Sequence, residues 1–345
     1  MAEIQTTIIG LLEDLNPRQK NILSRRFALV GPSKGGLTLS ELGQKYGVTR
    51  ERIRQIEEAA FQSVRKKIKL GMGKPVFTFV KSYMDKQGGV ASEESLLKEV
   101  STEFGAELTP LQLHFLLEAD DSYRFHSEDK DFRPFWFNDQ KNFQLAKSLV
   151  QETYRHLKDR KDEVLRERNF EEVFPTIAKE LNVPEAVSQN YLAISKKFGV
   201  NHYGDFGLFE WPEINPKTVR DRAYLVLKNL GKPLHFRDIA TYIKERKFDE
   251  KNVHASTVHN ELIKDNRFVL VGRGIYALAE HGYKPGTARE VIARILKSAG
   301  PLEVPELVEL VLKERLFKQN TVMLNLQNKK LFRKLSDGRY HVNQA

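Results

Sequence analysis

The sequence predicts a mainly α protein, with one helix-turn-helix near the N-terminus followed by tandem winged-helix-like modules that carry small β-wings. Three observations lead there. Helix caps and apolar periodicity set two helices around a turn at Gly47-Val48. Gly- and Pro-rich breaks cut the rest of the chain into units of similar size. The last two of those units repeat one another.

A chain of 345 residues, 40% apolar and 10% aromatic, can bury several cores, which excludes a disordered polymer. It contains no cysteine, so disulfides, thiolate metal sites and cysteine nucleophiles are excluded, and a reducing, cytoplasmic compartment is expected. The N-terminal apolar stretch has no basic lead-in and runs straight into Glu13 and Asp14, so it reads as an amphipathic helix and not as a targeting or membrane segment. Charge is divided unevenly. Lys and Arg number 14 against 7 acidic residues in 1–75, 17 against 25 in 76–216 and 25 against 14 in 217–345, giving +7, −8 and +11. Two basic ends around an acidic middle point to nucleic acid as the partner of the ends, because such contact needs local positive potential.

In chain order, Asn16-Pro17 opens a helix running to Phe27, which the glycine-rich loop Gly31 to Gly36 ends. Thr38 and Glu41 form a capping-box pair that opens a short helix, Gly47-Val48 turns the chain, and Thr49 caps the next helix, closing a first domain at 1–72. Gly71 to Pro75 reads as a linker. A module at 76–138 follows, with a helix from Val76 to Met84, a Ser92-capped helix, a third helix from Thr109-Pro110, and aromatic strands Tyr123 to Phe125 and Phe132 to Phe137. Residues 141–212 suggest a further module, with helices near Phe143 to Leu157, Phe170 to Leu181 and Pro184 to Ile194, ending at Trp211. Modules 217–280 and 286–345 are copies. Thr257, Leu262, Phe268, Gly274 and Tyr276 answer Thr321, Leu326, Phe332, Gly338 and Tyr340 at one offset of 64, which requires Phe268 and Phe332 to fill equivalent buried sites.

Projected at the helical repeat, Ile53, Ile56, Ala60 and Val64 share one face of the helix after Thr49, while Glu51, Arg54, Gln55, Glu58 and Gln62 share the other, with Arg50 at its flank. Arg and Gln offer the paired donor and acceptor geometry that reads guanine and adenine edges, and Glu can accept from cytosine. The first turns, where such helices reach bases, carry Arg50, Glu51, Arg54 and Gln55, with Thr49 and Arg52 as candidate phosphate contacts beside them. Arg65, Lys66, Lys67 and Lys69 on the later turns are candidate phosphate contacts, equally open to reading as a solvated basic run. The first 70 residues are expected to fold alone and to bind duplex weakly, with strong salt dependence.

The run from Leu39 to Glu57, LSELGQKYGVTRERIRQIE, preceded by Leu15-Asn-Pro-Arg-Gln and Arg26-Phe27, resembles region 4 of primary bacterial sigma factors over about the first 70 residues. In that family this helix reads the minus-35 promoter element. The resemblance implies base contacts for Arg50, Glu51 and Gln55 and a phosphate contact for Arg54. Two departures stand beside it. Ala59, Gln62 and Ser63 occupy turns where the family carries basic residues for activator contacts, and residues 76 onward hold no counterpart of the aromatic-rich region that opens the minus-10 element. A self-sufficient sigma factor is not expected.

The module at 217–280 resembles the HARE-type helix-turn-helix family in Arg222-Ala-Tyr-Leu-Val-Leu, Lys232-Pro-Leu-His-Phe-Arg-Asp-Ile and the wing Gly272-Arg-Gly-Ile-Tyr-Ala-Leu. That family is known from the delta subunit of bacterial RNA polymerase, and the resemblance implies a role on nucleic acid or on polymerase. Thr257, Asn260, Lys264 and Arg273 are its candidate wing and helix contacts, open also to reading as exposed polar residues.

Enzyme readings are weaker. Asp238 with Glu245-Arg-Lys247 matches a nuclease carboxylate pattern but lies on a helix and not on a hairpin, and His254 and His259 miss the helical zinc spacing. No phosphate-loop pattern is complete, so neither metal nor cofactor nor catalysis is expected. Two readings remain: a sequence-specific transcription factor on promoter DNA, with RNA polymerase core as a further partner and the basic C-terminal pair adding grip, or a polymerase-bound adaptor that reads no bases.

Overall fold

Helix starts that the sequence marks with Asn or Thr are closed by those side chains. Asn16 accepts from the Gln19 backbone at 2.9 Å, and the Gln19 side chain answers in return. Thr38 with Glu41, Thr109 with Gln112, Thr218 with Asp221 and Thr287 with Glu290 repeat the device, so five helices begin where local chemistry satisfies their free N–H groups. The computed structural model describes residues 3–29, 35–167, 170–246, 248 and 253–343. Most of the loop expected at Gly31 to Gly36, and Lys247 of the nuclease-like pattern, lie outside the described residues. The fold is mainly helical with small antiparallel sheets, a helix-turn-helix followed by winged-helix-like modules.

The chain forms two compact units, Met1–Gly199 with Phe206–Phe209, and Val200–Asp205 with Glu210–Ala345. In the first, α1 (Glu3–Leu12), α2 (Pro17–Arg26), α3 (Leu39–Tyr46) and α4 (Arg50–Lys69) lead into α5 (Lys74–Lys86). Next come β1 (Val90–Ser92), α6 (Glu93–Glu103), α7 (Pro110–Asp120), β2 (Arg124–His126) and β3 (Phe135–Phe137), whose sheet runs β1-β3-β2 with Ala91 opposite Trp136. Strand β1, absent from the sequence reading, is three residues long and too short to show a period of two.

The boundary expected at 72–76 divides no core. Ile4, Ile8 and Leu11 of α1, Phe27, and Phe61 and Val64 of α4 belong to one buried cluster with Phe115, Leu116 and Trp136 of the following module. Phe27, Phe61 and Phe115 meet ring to ring at 5.8–5.9 Å, tilted or edge-on, within the range where aromatic pairs attract. Cutting the chain after residue 70, where an independently folding segment is expected to end, would expose Phe27 and Phe61 to water. The rest of the unit holds α8 (Gln140–Asp159), α9 (Lys161–Glu167), α10 (Phe170–Glu180), α11 (Glu185–Ala193), β4 (Phe198–Val200) and β5 (Phe206–Leu208). Tyr191 on α11 donates to the Gly88 carbonyl at 2.6 Å, and Asn190 donates to that of Gln87 at 2.9 Å, stitching this module to the turn before β1.

In the second unit, α12 (Val219–Leu230), β6 (Leu234–His235), α13 (Phe236–Glu245), α14 (Ala255–Lys264), β7 (Phe268–Gly272) and β8 (Ile275–Leu278) form one module with sheet order β6-β8-β7. Its copy holds α15 (Ala288–Ala299), α16 (Val304–Glu314), α17 (Gln319–Leu326), β9 (Phe332–Lys334) and β10 (Tyr340–Val342), with a Leu302–Tyr340 bridge in the place of β6. Phe268 and Phe332 are both buried, as the repeat requires. Arg315, 1% exposed, joins the copies by donating to the carbonyls of Leu270, at 2.8 Å, and Lys284. Among the described residues no helix is long and apolar enough to cross a membrane.

Candidate nucleic-acid interface

Two glycines make the turn that aims α4. Gly47 caps α3 in the left-handed region at φ 62°, where a side chain would be strained. A Cβ on Gly43 would stand 2.8 Å from the Val48 carbonyl, so the chain folds back on α3 only because that position is bare. Thr49 then closes the N-terminus of α4 through its hydroxyl, which accepts from Arg52 N at 3.2 Å. Ile22, Leu42 and Ile53 form a small core of their own with Val48 and Ile56, separate from the large one, and lock α3 against the first half of α4.

The opposite side of that half is open. Arg50, Glu51, Arg52, Arg54, Gln55 and Glu58 are all exposed, and the structure places the three candidate base readers within the first two turns. Their side chains are organised among themselves. Arg54 clasps Glu51 with three hydrogen bonds of 2.8–3.2 Å, which hold the Glu51 carboxyl below its usual range. Arg52 donates to Gln55 Oε1 at 3.0 Å. Arg50 stands outside both pairs.

Midway, the helix changes character. Glu57 turns inward, its side chain 13% exposed, with Arg26 Nε 3.5 Å from its carboxylate. Burial pushes its pKa up to about 6 despite that guanidinium. Arg26 also donates to the Leu37 carbonyl at 3.2 Å, so one side chain ties α2, the entry to α3 and the middle of α4 together. In the sequence Arg26 stands only as part of the Arg26-Phe27 motif. Its signal was the spacing to Glu57, which cannot be recognised as a pair until the helices pack.

Of the four basic residues expected to meet phosphates on the later turns, two are otherwise engaged. Arg65 lies over the Phe61 ring, pairs with Glu58 at 2.9 Å and Asp121 at 3.6 Å, and donates to the Glu118 carbonyl at 3.3 Å, bolting α4 to α7. Lys67 pairs with Asp14 at 2.6 Å and donates to the Gly10 carbonyl at 2.7 Å, toward the C-terminal end of α1, where free carbonyls attract a cation. Arg65 and Lys67, both expected to meet phosphates, are thus engaged in tertiary ties, whereas Lys66 and Lys69 are exposed. On α7, His114 Nε2 donates to the Glu93 carboxylate at 2.7 Å, and its Nδ1 lies 3.8 Å from that of Glu118. Burial pulls its pKa down, but the hydrogen bonds to Glu118 and Glu93 outweigh it and raise it to about 9.

Residues 11–66 match Sigma-70, region 4. Over 61 residues the chain is 46% identical to RNA polymerase sigma factor RpoH of Zymomonas mobilis, covering 18% of this chain and 19% of that protein. It is 42% identical over 59 residues to RNA polymerase sigma-B factor of Nostoc sp., 17% of each. Over 63 residues it is 38% identical to RNA polymerase sigma factor RpoD of Helicobacter pylori, 18% of this chain and 9% of that one. The chain thus spans a fifth or less of these relatives. The matched segment contains α2, α3 and all of the exposed face of α4 described above.

In the second unit, Thr257, Asn260 and Lys264 are exposed on α14, and Arg273 is exposed in the turn between β7 and β8. Lys264 is paired with Glu261 at 3.0 Å, which also holds Arg220 at 3.0 Å, so two cations share one carboxylate. Asp238 and Glu245 occupy opposite ends of α13, and among the described residues no three His, Asp or Glu side chains gather as metal ligands would.

Proposed function

We propose that this protein is a sequence-specific DNA-binding transcription factor of bacterial transcription initiation that reads a promoter element with the first two turns of α4. One observation carries the reading: in a segment similar to Sigma-70 region 4, Arg50, Glu51 and Gln55 stand exposed on a helix whose other face is locked to α3 by Ile53 and Leu42. Such a helix presents its first turns to the major groove, where these side-chain types read base edges. Arg54 and Arg52 brace that face and approach the backbone, and Thr49 supports it from the cap.

RNA polymerase core is the expected protein partner, since the relatives that share this segment are RNA polymerase sigma factors. The HARE-type likeness of the second unit suits the same setting, inside the cytoplasm and without catalysis. The test is selection of duplex from a random pool by the full chain, with and without polymerase core. A recurring motif that Arg50→Ala abolishes supports the reading. Enrichment of no motif in either arm, together with stable binding to core, would move the protein to a polymerase-bound adaptor that reads no bases.

A further inference from the structure

The two C-terminal copies share a fold and differ in charge at one place. From Lys318 to Ser336 the last copy has no acidic residue, and Lys329, Lys330, Arg333 and Lys334 are all exposed on the turn and strand β9. At the offset of 64 the first copy has Asp265, Asn266, Val269 and Leu270, and Asp265 is held by Arg267 at 2.7 Å. Among the described residues, no carboxylate pairs with any of the four cations. Nor are they on a loose tail. Asn328 Oδ1 accepts from Lys330 N at 3.1 Å, and the Asn328 carbonyl accepts from Leu331 N and Phe332 N at 3.0 Å. Asn343 bonds the other side, its amide donating to the Lys329 carbonyl at 2.9 Å and its backbone N–H to that of Leu331 at 2.8 Å. Phe332 anchors the strand in the core, and β9 is the edge of its two-stranded sheet.

We infer that Lys329, Lys330, Arg333 and Lys334 form a preorganised ridge that grips the phosphodiester backbone of duplex DNA. Six residues reach at most ~20 Å, a length over which a duplex presents many charges at one per ~1.7 Å of axis. Protein interfaces are depleted in lysine, whereas DNA interfaces are strongly positive, and three of the four side chains here are lysines. The inference deepens the DNA-binding reading, yet the two fail separately: α4 governs preference between sequences, the ridge governs affinity for all of them.

The experiment titrates the full chain with a duplex of arbitrary sequence across a series of NaCl concentrations. Replacing all four residues by Ala should make the slope of log affinity against log salt shallower by about 3 to 4, near 0.9 per phosphate contact. Lys217→Ala, Lys232→Ala, Lys284→Ala and Lys297→Ala combined remove the same charge from exposed sites of the same unit and should change it far less. Exchanging Lys for Arg and Arg333 for Lys should keep the slope. An unchanged slope in the ridge variant, equal losses in the control set, or loss in the charge-keeping variant each overturns the proposal. Should the fourfold variant not fold, Lys330→Ala and Lys334→Ala singly should each shift the slope by about 0.9, and no shift in either overturns it equally.

Discussion

The two halves of α4 use the same residue types for opposite ends. In the first half, Arg50, Arg52 and Arg54 stay at the surface, paired with neighbours on their own helix or outside any pair. In the second half, Arg65 and Lys67 reach across to α7 and α1 and bind their backbone carbonyls. What separates them is what lies alongside. The first half touches only the small core with α3, whereas Ala60, Phe61 and Val64 of the second half enter the large core that continues into the next module. A cation beside a packed helix end finds the carbonyls and carboxylates of other elements within reach; one on an open face finds only neighbours on its own helix and water. Positive charge on a helix is thus a poor guide to DNA contact unless the packing around it is known.

Breaking the seat of the second half should have the largest effect. Phe115→Ala removes the ring that meets both Phe27 and Phe61 and should destabilise the full chain by about 3–5 kcal/mol, read from denaturant unfolding. If the loss is under 1 kcal/mol, the two modules do not share a core. The seat should also weaken with alkali. The folded-state pKa of His114 is raised to about 9, so its contribution is fully present below about 6.5, its unfolded value, and is lost as pH rises through 9. The shift corresponds to at most about 3 kcal/mol, and His114→Gln should flatten the stability profile in that window.

Arg65→Ala and Arg50→Ala sharpen the contrast directly. Removing Arg65 takes away the partner of Glu58 and the cation over the Phe61 ring and should cost about 1 kcal/mol of stability, because both carboxylates it meets stay half exposed, with the salt slope of DNA binding unaltered. Removing Arg50 should leave the melting temperature in place and cost about 1–3 kcal/mol of affinity on the selected site, with little change on other sequences. The smallest effect belongs to Lys66→Ala, which should weaken all duplexes nearly alike and shallow the salt slope by about one unit. Equal losses for Arg50→Ala and Lys66→Ala on every sequence would reduce α4 to a cationic surface.

Much of this was legible in the chain itself. The caps at Asn16, Thr38, Thr49 and Thr109, the turn at Gly47 and the apolar face of Ile53, Ala60 and Val64 are local or periodic features, so they can be read without knowing what packs against what. The copied C-terminal modules were visible for the same reason, since a repeat is a property of order alone. Tertiary structure decided the rest. Whether Gly71 to Pro75 parts two domains, whether Glu57 meets Arg26, and whether Arg65, Lys67 or Lys330 is free all depend on residues distant in sequence. A side chain's backbone neighbours set its secondary structure, but its charge is neutralised or left open by whatever the fold brings within a few ångströms, and that proximity is written nowhere in the local sequence.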